Sequence, residues 1–247
     1  MPEPQPAVAS APSRPTPDLA STHAAWWGLG VAVALMVLAM AVPAVTGWNP
    51  HVHSFPAARG LGSRVGLGTL PALLVAVLAA RWAMPLAEGL PWRRLLLAAY
   101  AAGLVWLLSL ALVDGSHGIW DPLNHRYEYL GPARNVDDIG QMLREYVDRI
   151  PFSAGDRHYP PHPAGHPAGA LLFFVVLVRL GLGSGLGAGL VVTLIAASTA
   201  VAVLVALRTL GAEALARRAA PFLVLGPAAV WQSVSADAMF AACAAWA

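Results

Sequence analysis

Three stretches of this chain stay apolar for about a bilayer's width, and that pattern constrains the fold more than any other feature. Residues 26–44 carry no charge, residues 65–84 carry only Arg81 near their far end, and residues 95–113 carry none. A helix needs about 20 apolar residues to cross the ~30 Å hydrocarbon core of a membrane. Trp26, Trp27 and Trp48 bracket the first run as an aromatic belt would, and Trp92, Arg93 and Arg94 stand just before the third. Arg81 can keep its head in water by snorkelling. Composition agrees: 57% of residues are hydrophobic and 11% are charged, against roughly 25% charged in soluble domains.

The remaining composition excludes more than it assigns. All fifteen basic residues are arginine, and they flank the apolar runs instead of forming one basic face. A net charge of +2 distributed in this way gives no reason to expect nucleic acid as a partner. Cys243 is the only cysteine, which rules out an intrachain disulfide and a cysteine metal cluster.

The chain divides by composition. Residues 1–23, rich in Pro, Ala and Ser, read as a disordered tail. Residues 24–113 read as three transmembrane helices. Residues 114–168 form a polar loop with eight of the thirteen acids and five of the eight histidines. Residues 169–247 read as further spans: apolar sequence at 169–182, a glycine-rich run at 181–189, more apolar sequence at 190–207, a polar connector at 208–218 and a last apolar stretch at 219–231. The residues after Asp237 are too few to cross a bilayer, so the chain is expected to continue beyond residue 247. The expected fold class is an all-α, polytopic transmembrane helix bundle of five or six spans. If the tail is cytoplasmic, Arg81, Arg93 and Arg94 lie inside, as the positive-inside rule prefers, and the polar loop is extracytoplasmic. The same count puts Arg208, Arg217 and Arg218 outside, a conflict that vanishes if 169–182 does not fully span.

Inside the loop, Val136, Ile139, Leu143, Tyr146, Val147 and Ile150 recur at helical spacing. They predict an amphipathic helix over about 136–150, capped by Asn135, favoured by Asp137 and Asp138 at its positive end and stopped by Pro151. Such a helix lies on the membrane interface or acts as a packing lid. Before it, Asp121 and Glu128 flank His125 and Arg126 among aromatics. A carboxylate there can serve as a general base or bind a divalent metal; equally, Asp121 can cap a turn and Glu128 can pair with an arginine. After it, His158, His162 and His166 are spaced by four, but prolines at 160, 161, 163 and 167 predict an extended or turning loop. A zinc site is then a weak reading of these histidines. The glycines at 181–189 do not match a dinucleotide-binding fingerprint and suggest a hairpin or close helix packing.

Taken together, the acid-bearing loop, the short amphipathic helix, His166-Pro-Ala-Gly169 leading into apolar sequence and Ser235-Ala-Asp-Ala-Met-Phe240 further along resemble the GT-C membrane glycosyltransferases. The similarity is to the protein mannosyltransferase and aminoarabinose transferase group. Ala168 stands where that family's motif has a second proline, and two spans, not none, precede the one leading into the loop. The resemblance implies a GT-C-like fold in a bacterial cytoplasmic membrane. It implies transfer of a sugar from a polyprenyl-phosphate donor to an extracytoplasmic acceptor, with Glu128 or Asp121 as catalytic base. Arg126, Arg134, His162, His166 and Asp237 become candidate substrate-binding residues, with membrane lipid as partner and no cofactor specified beyond a divalent metal the loop acids can hold. The competing expectations are a polytopic transporter, which calls for ionisable residues near the membrane midplane, and a noncatalytic membrane scaffold.

Overall fold

The computed structural model describes residues 19–47 and 65–247. Among the described residues every regular element is helical. Two compact units are present, one ending at Ser63 and one running from Arg64 to Ala247.

The described part of the first unit is a single helix, α1, Leu19–Thr46. It begins inside the stretch read as a tail; the remainder of that tail lies outside the described residues. Trp26 and Trp27 are exposed on it, as are Leu29, Val31, Leu35 and Leu38.

Among the described residues the second unit contains eleven α-helices. Two of membrane type come first, α2 (Thr69–Gly89) and α3 (Trp92–Ala111). Four short ones follow in the polar loop: α4 (His117–Trp120), α5 (Leu130–Arg134), α6 (Ile139–Glu145) and α7 (Pro161–Gly165). Then come α8 (Ala168–Arg179), α9 (Gly185–Thr209), α10 (Glu213–Leu225), α11 (Ala229–Gln232) and α12 (Ala236–Trp246). Among the described residues three helices are long and apolar enough to cross a membrane: α2, α3 with the turn that extends it to Asp114, and α9. At 1.5 Å per residue each reaches at least ~30 Å. On α2 the exposed side chains include Leu70, Leu73, Leu74 and Val77, an apolar exterior that suits lipid and not water.

α9 is the central helix, packed on α3, α10 and α12. Its buried positions, Gly185, Gly189, Thr193, Ala196, Ala197, Ala200 and Leu204, follow one face at three- and four-residue spacing. Small residues of this kind let helix backbones approach closely in lipid. Gly185 and Gly189 are required, because a Cβ at either would run into the loop backbone, at the Trp120 carbonyl and the Ile119 carbonyl respectively.

The bundle has two chemically distinct ends. At one, α2 begins against the end of α3, with the Gly68 N–H donating to the Leu112 carbonyl at 2.9 Å. α9 begins here too, against the loop. At the other end Arg208 lies over the Trp92 ring at 4.5 Å. Arg217 donates there to the Ala87 and Leu90 carbonyls at 2.9 and 2.8 Å, closing the last turn of α2.

Three elements differ from the sequence expectation. The stretch 169–182 forms a helix too short to cross by itself: α8 has twelve residues, ~18 Å of helix, and both of its ends are tied to the polar loop. Tyr129 meets His166 just before it, while at its far end Arg179 donates to the Asp137 carbonyl at 2.8 Å and Arg134 to the Gly183 carbonyl. Arg93, Arg94, Arg208, Arg217 and Arg218 therefore share one end of the bundle. Second, the loop helix is shorter than 136–150. Asn135 closes α5, donating back to the Gly131 carbonyl, and it is Asp138 that caps α6, accepting from the Gln141 N–H at 3.1 Å. Met142 and Tyr146 are buried, but Leu143, within α6, and Val147, at the start of a 3-10 turn over Val147–Arg149, face outward. Third, the His-Pro segment is not all loop. Pro161 and Pro163 fall in the first turn of α7, where a helix has no intrahelical partner for its N–H groups, so proline is tolerated.

Beyond α9 the last apolar stretch is broken. α10 starts early, at Glu213, and stops at Gly226-Pro227. A short α11 continues toward the loop end, where the Ser233 hydroxyl donates to the Leu107 carbonyl at 2.9 Å.

Candidate functional site

The site forms where the loop, the start of α8 and the start of α12 meet. Glu128 lies immediately before α5, its side chain 17% exposed. One carboxylate oxygen, Oε1, lies 2.9 Å from His162 Nδ1. The other, Oε2, is buried and has no hydrogen-bond partner in the protein. Burial pushes the Glu128 carboxyl above its ordinary value; His162 and His166 pull it partly back, and neighbouring Asp237 raises it further. A carboxylate with a raised pKa and an unpartnered oxygen is suited to taking a proton.

Its partners are held by a buried aromatic frame. Tyr129, fully buried, stacks on Phe174 with centroids 5.0 Å apart and meets Phe240 edge-on. Its hydroxyl lies 2.6 Å from His166 Nδ1 and 3.3 Å from the His162 carbonyl. Burial, with Glu128 nearby, raises the Tyr129 phenol, which therefore stays protonated and remains a donor. The Tyr146 hydroxyl reaches the Pro163 carbonyl at 2.6 Å and the His166 carbonyl at 3.0 Å. Burial pushes its pKa up to about 12, so it too remains a donor. These two tyrosines fix α7 from both sides and set the two imidazoles against Glu128. The His162 N–H also donates to the Tyr127 carbonyl, tying α7 to the backbone beside the acid.

Asp237 enters from the first turn of α12, whose N-cap Ser235 accepts from the Asp237 N–H at 3.0 Å. The turn before it is strained: Val234 is buried at φ 54°, a region a β-branched residue rarely occupies and one that costs on the order of 1–3 kcal/mol. That turn redirects the chain after α11 so that α12 starts beside the loop.

Of the residues singled out from sequence, the structure brings together Glu128, His162, His166 and Asp237. Asp121 stands apart, exposed at the end of α4 and 3.4 Å from His117. Arg126 lies over the Tyr127 ring at 4.7 Å and donates to that hydroxyl. Arg134 is engaged in structure, its guanidinium donating to the Gly183 carbonyl and to Asn124 Oδ1. Neither arginine is among the charges that act on Glu128. Among the described residues no group of three or more His, Cys, Asp and Glu side chains converges as metal ligands.

No family model, no curated protein and no solved structure matches this chain.

Sequence reasoning missed Tyr129, Tyr146 and Phe240. Tyr146 was visible only as one member of an apolar stripe. The tyrosines flanking Glu128 in Arg126-Tyr-Glu-Tyr-Leu130 were the signal for Tyr129, since a carboxylate set among aromatics has few ways to be solvated.

Proposed function

We propose that this chain carries the acceptor-activating site of a membrane glycosyltransferase of GT-C type, with Glu128 as general base. The observation that carries the reading is the half-paired Glu128 carboxylate: Oε1 oriented by His162, Oε2 buried and without a partner, at the polar end of an apolar bundle. In this mechanism the Glu128 carboxylate takes the proton of an acceptor hydroxyl as that oxygen attacks the anomeric carbon. The bond from that carbon to the donor phosphate breaks, and polyprenyl phosphate leaves. His162 holds the base, His166 is positioned by Tyr129 to contact the phosphate, and exposed Arg126, two residues before Glu128, supplies positive charge nearby. Asp121 and Arg134 have structural roles. With α8 returning to the loop end, the arginines clustered at the other end support an extracytoplasmic loop by the positive-inside rule.

The test is transfer from a polyprenyl-phosphate sugar by the full-length protein in lipid vesicles. A general base contributes about 10²- to 10⁴-fold, so Glu128→Gln should lose at least about a hundredfold in turnover while remaining inserted, and Asp121→Asn should stay within about threefold. Wild-type turnover in Glu128→Gln would overturn the assignment of the base; no consumption of any polyprenyl-phosphate sugar by the wild type would overturn the transferase reading.

One observation favours a second reading. The break between α10 and α11 is of the kind that lines substrate paths in transporters, although the residues at it, Gly226, Pro227 and Ala228, carry no ionisable side chain. Solute uptake by the same vesicles without sugar transfer would select that reading.

A further inference from the structure

At the end of the bundle remote from Glu128, α2, α3 and α10 do not close on one another. They leave a groove of about 530 Å³ lined by alanine, leucine, valine, proline and Trp82. Along α2 it runs from Val75 to Leu90, ~22 Å of helix and more than the thickness of one leaflet's hydrocarbon. Its length and lack of polar lining suit a hydrocarbon chain.

The mouth of the groove is charged. On α3, Arg94 precedes the lining residues Ala98, Ala101 and Val105 by four, seven and eleven positions, so it heads their helical row. On α10, Arg218 stands in the same relation to Pro221 and Leu225, at three and seven positions. The bonds from Arg217 to the Ala87 and Leu90 carbonyls hold the first turns of α10 against the end of α2, which puts Arg94 and Arg218 at the same end of the groove. Both are exposed. Among the described residues, of the acids at this end Glu213 is taken by Arg208 and Arg217, at 3.0 and 2.8 Å, and Glu88, exposed on the last turn of α2, is in ion-pair reach of neither Arg94 nor Arg218. A dry slot with unneutralised arginines at its rim is complementary to a lipid whose headgroup carries net negative charge.

We propose that this groove is a binding site for an anionic glycerophospholipid, one chain lying along α2 and α3 and the headgroup phosphate on Arg94 and Arg218. The site rests on membrane insertion alone and is independent of the transfer reaction at Glu128. Native mass spectrometry of the detergent-solubilised protein, titrated with phosphatidylglycerol and with phosphatidylcholine of the same chains, tests it. Phosphatidylglycerol should bind first. The double variant Arg94→Gln/Arg218→Gln should weaken it by on the order of thirtyfold, about fivefold per arginine, and leave phosphatidylcholine unchanged. Ala102→Trp, or the milder Ala98→Leu, should weaken both lipids by narrowing the slot. Equal binding of the two lipids by the wild type, or no response to either set of variants, would overturn the proposal. So would displacement of phosphatidylglycerol by equimolar polyprenyl phosphate, which would give the slot to a donor lipid. A lowered melting temperature of Ala102→Trp in lipid-free detergent, or its conversion of an oligomer to monomers, would show protein filling the groove and would equally refute it.

Discussion

Tyr129→Phe removes one oxygen from the centre of the candidate site and leaves everything else in place. The ring keeps its stacking on Phe174 and its edge contact with Phe240, so no cavity larger than a hydroxyl opens. What is lost is the 2.6 Å bond to His166 Nδ1 and the weaker approach to the His162 carbonyl at 3.3 Å. A neutral hydrogen bond contributes about 1 kcal/mol net, rising toward 2 where no water can replace the missing partner. Tyr129 is fully buried, so the upper part of that range applies. The loss is softened because His166 Nδ1 also lies 3.0 Å from the His162 carbonyl and can turn its proton there. The expected cost is therefore about 1–2 kcal/mol. At roughly 2–4 °C per kcal/mol for a unit of this size, Tm in detergent should fall by about 2–8 °C. Tyr129→Ala, which also forfeits the ring packing, should cost about 3–5 kcal/mol. Thermal unfolding followed by intrinsic fluorescence at pH 7 measures both. A Tyr129→Phe variant within 1 °C of the wild type, on the order of the assay error, would refute the hydroxyl as the anchor of His166. A loss equal to that of Tyr129→Ala would refute the separation of hydroxyl from ring.

Three further outcomes are expected. Glu128 has a folded pKa above its ordinary 4.5 because burial disfavours the charge; the native state then holds the proton more tightly than the unfolded chain, and the stability this gives is present below pH 4.5 and lost as pH rises through the raised value. Glu128→Gln should flatten that dependence, so its Tm relative to the wild type should climb from pH 4.5 to 7; a constant difference would mean the carboxyl is not desolvated. Met142→Asp buries an unpaired charge and should open the loop to limited proteolysis, whereas Leu143→Asp, on the outward face of α6, should not; equal sensitivity would restore the wider stripe read from sequence. Ser153→Cys in a Cys243→Ala background should react with an impermeant thiol reagent in intact cells; labelling only after lysis would place the loop in the cytoplasm.

The spans at 65–84 and 95–113, and the apolar run at 190–207, were legible because a bilayer rewards length and hydrophobicity, both written locally in the sequence. The acids and histidines of 114–168 were legible as a concentration of charge between such runs. Their grouping was not. Glu128 meets His162 and Tyr129 meets His166 across more than thirty residues, and Asp237 arrives from more than a hundred residues away. Nothing local distinguished Glu128 from Asp121, which share aromatic and basic neighbours; burial in the assembled loop separates them, leaving one carboxylate desolvated and the other in water. The fate of 169–182 was also a tertiary decision, since an apolar run of that length suits a returning helix as well as a short span. Arg134 on the Gly183 carbonyl and Arg179 on the Asp137 carbonyl tie its far end back to the loop, as in a returning helix. The sequence by itself determined that this chain is a helical protein with membrane-type spans and one polar loop, because hydrophobic length acts residue by residue. The tertiary structure decided which acid is buried, which imidazoles face it and which end of the bundle carries the arginines, because those depend on hydrogen bonds and packing between segments far apart in the chain.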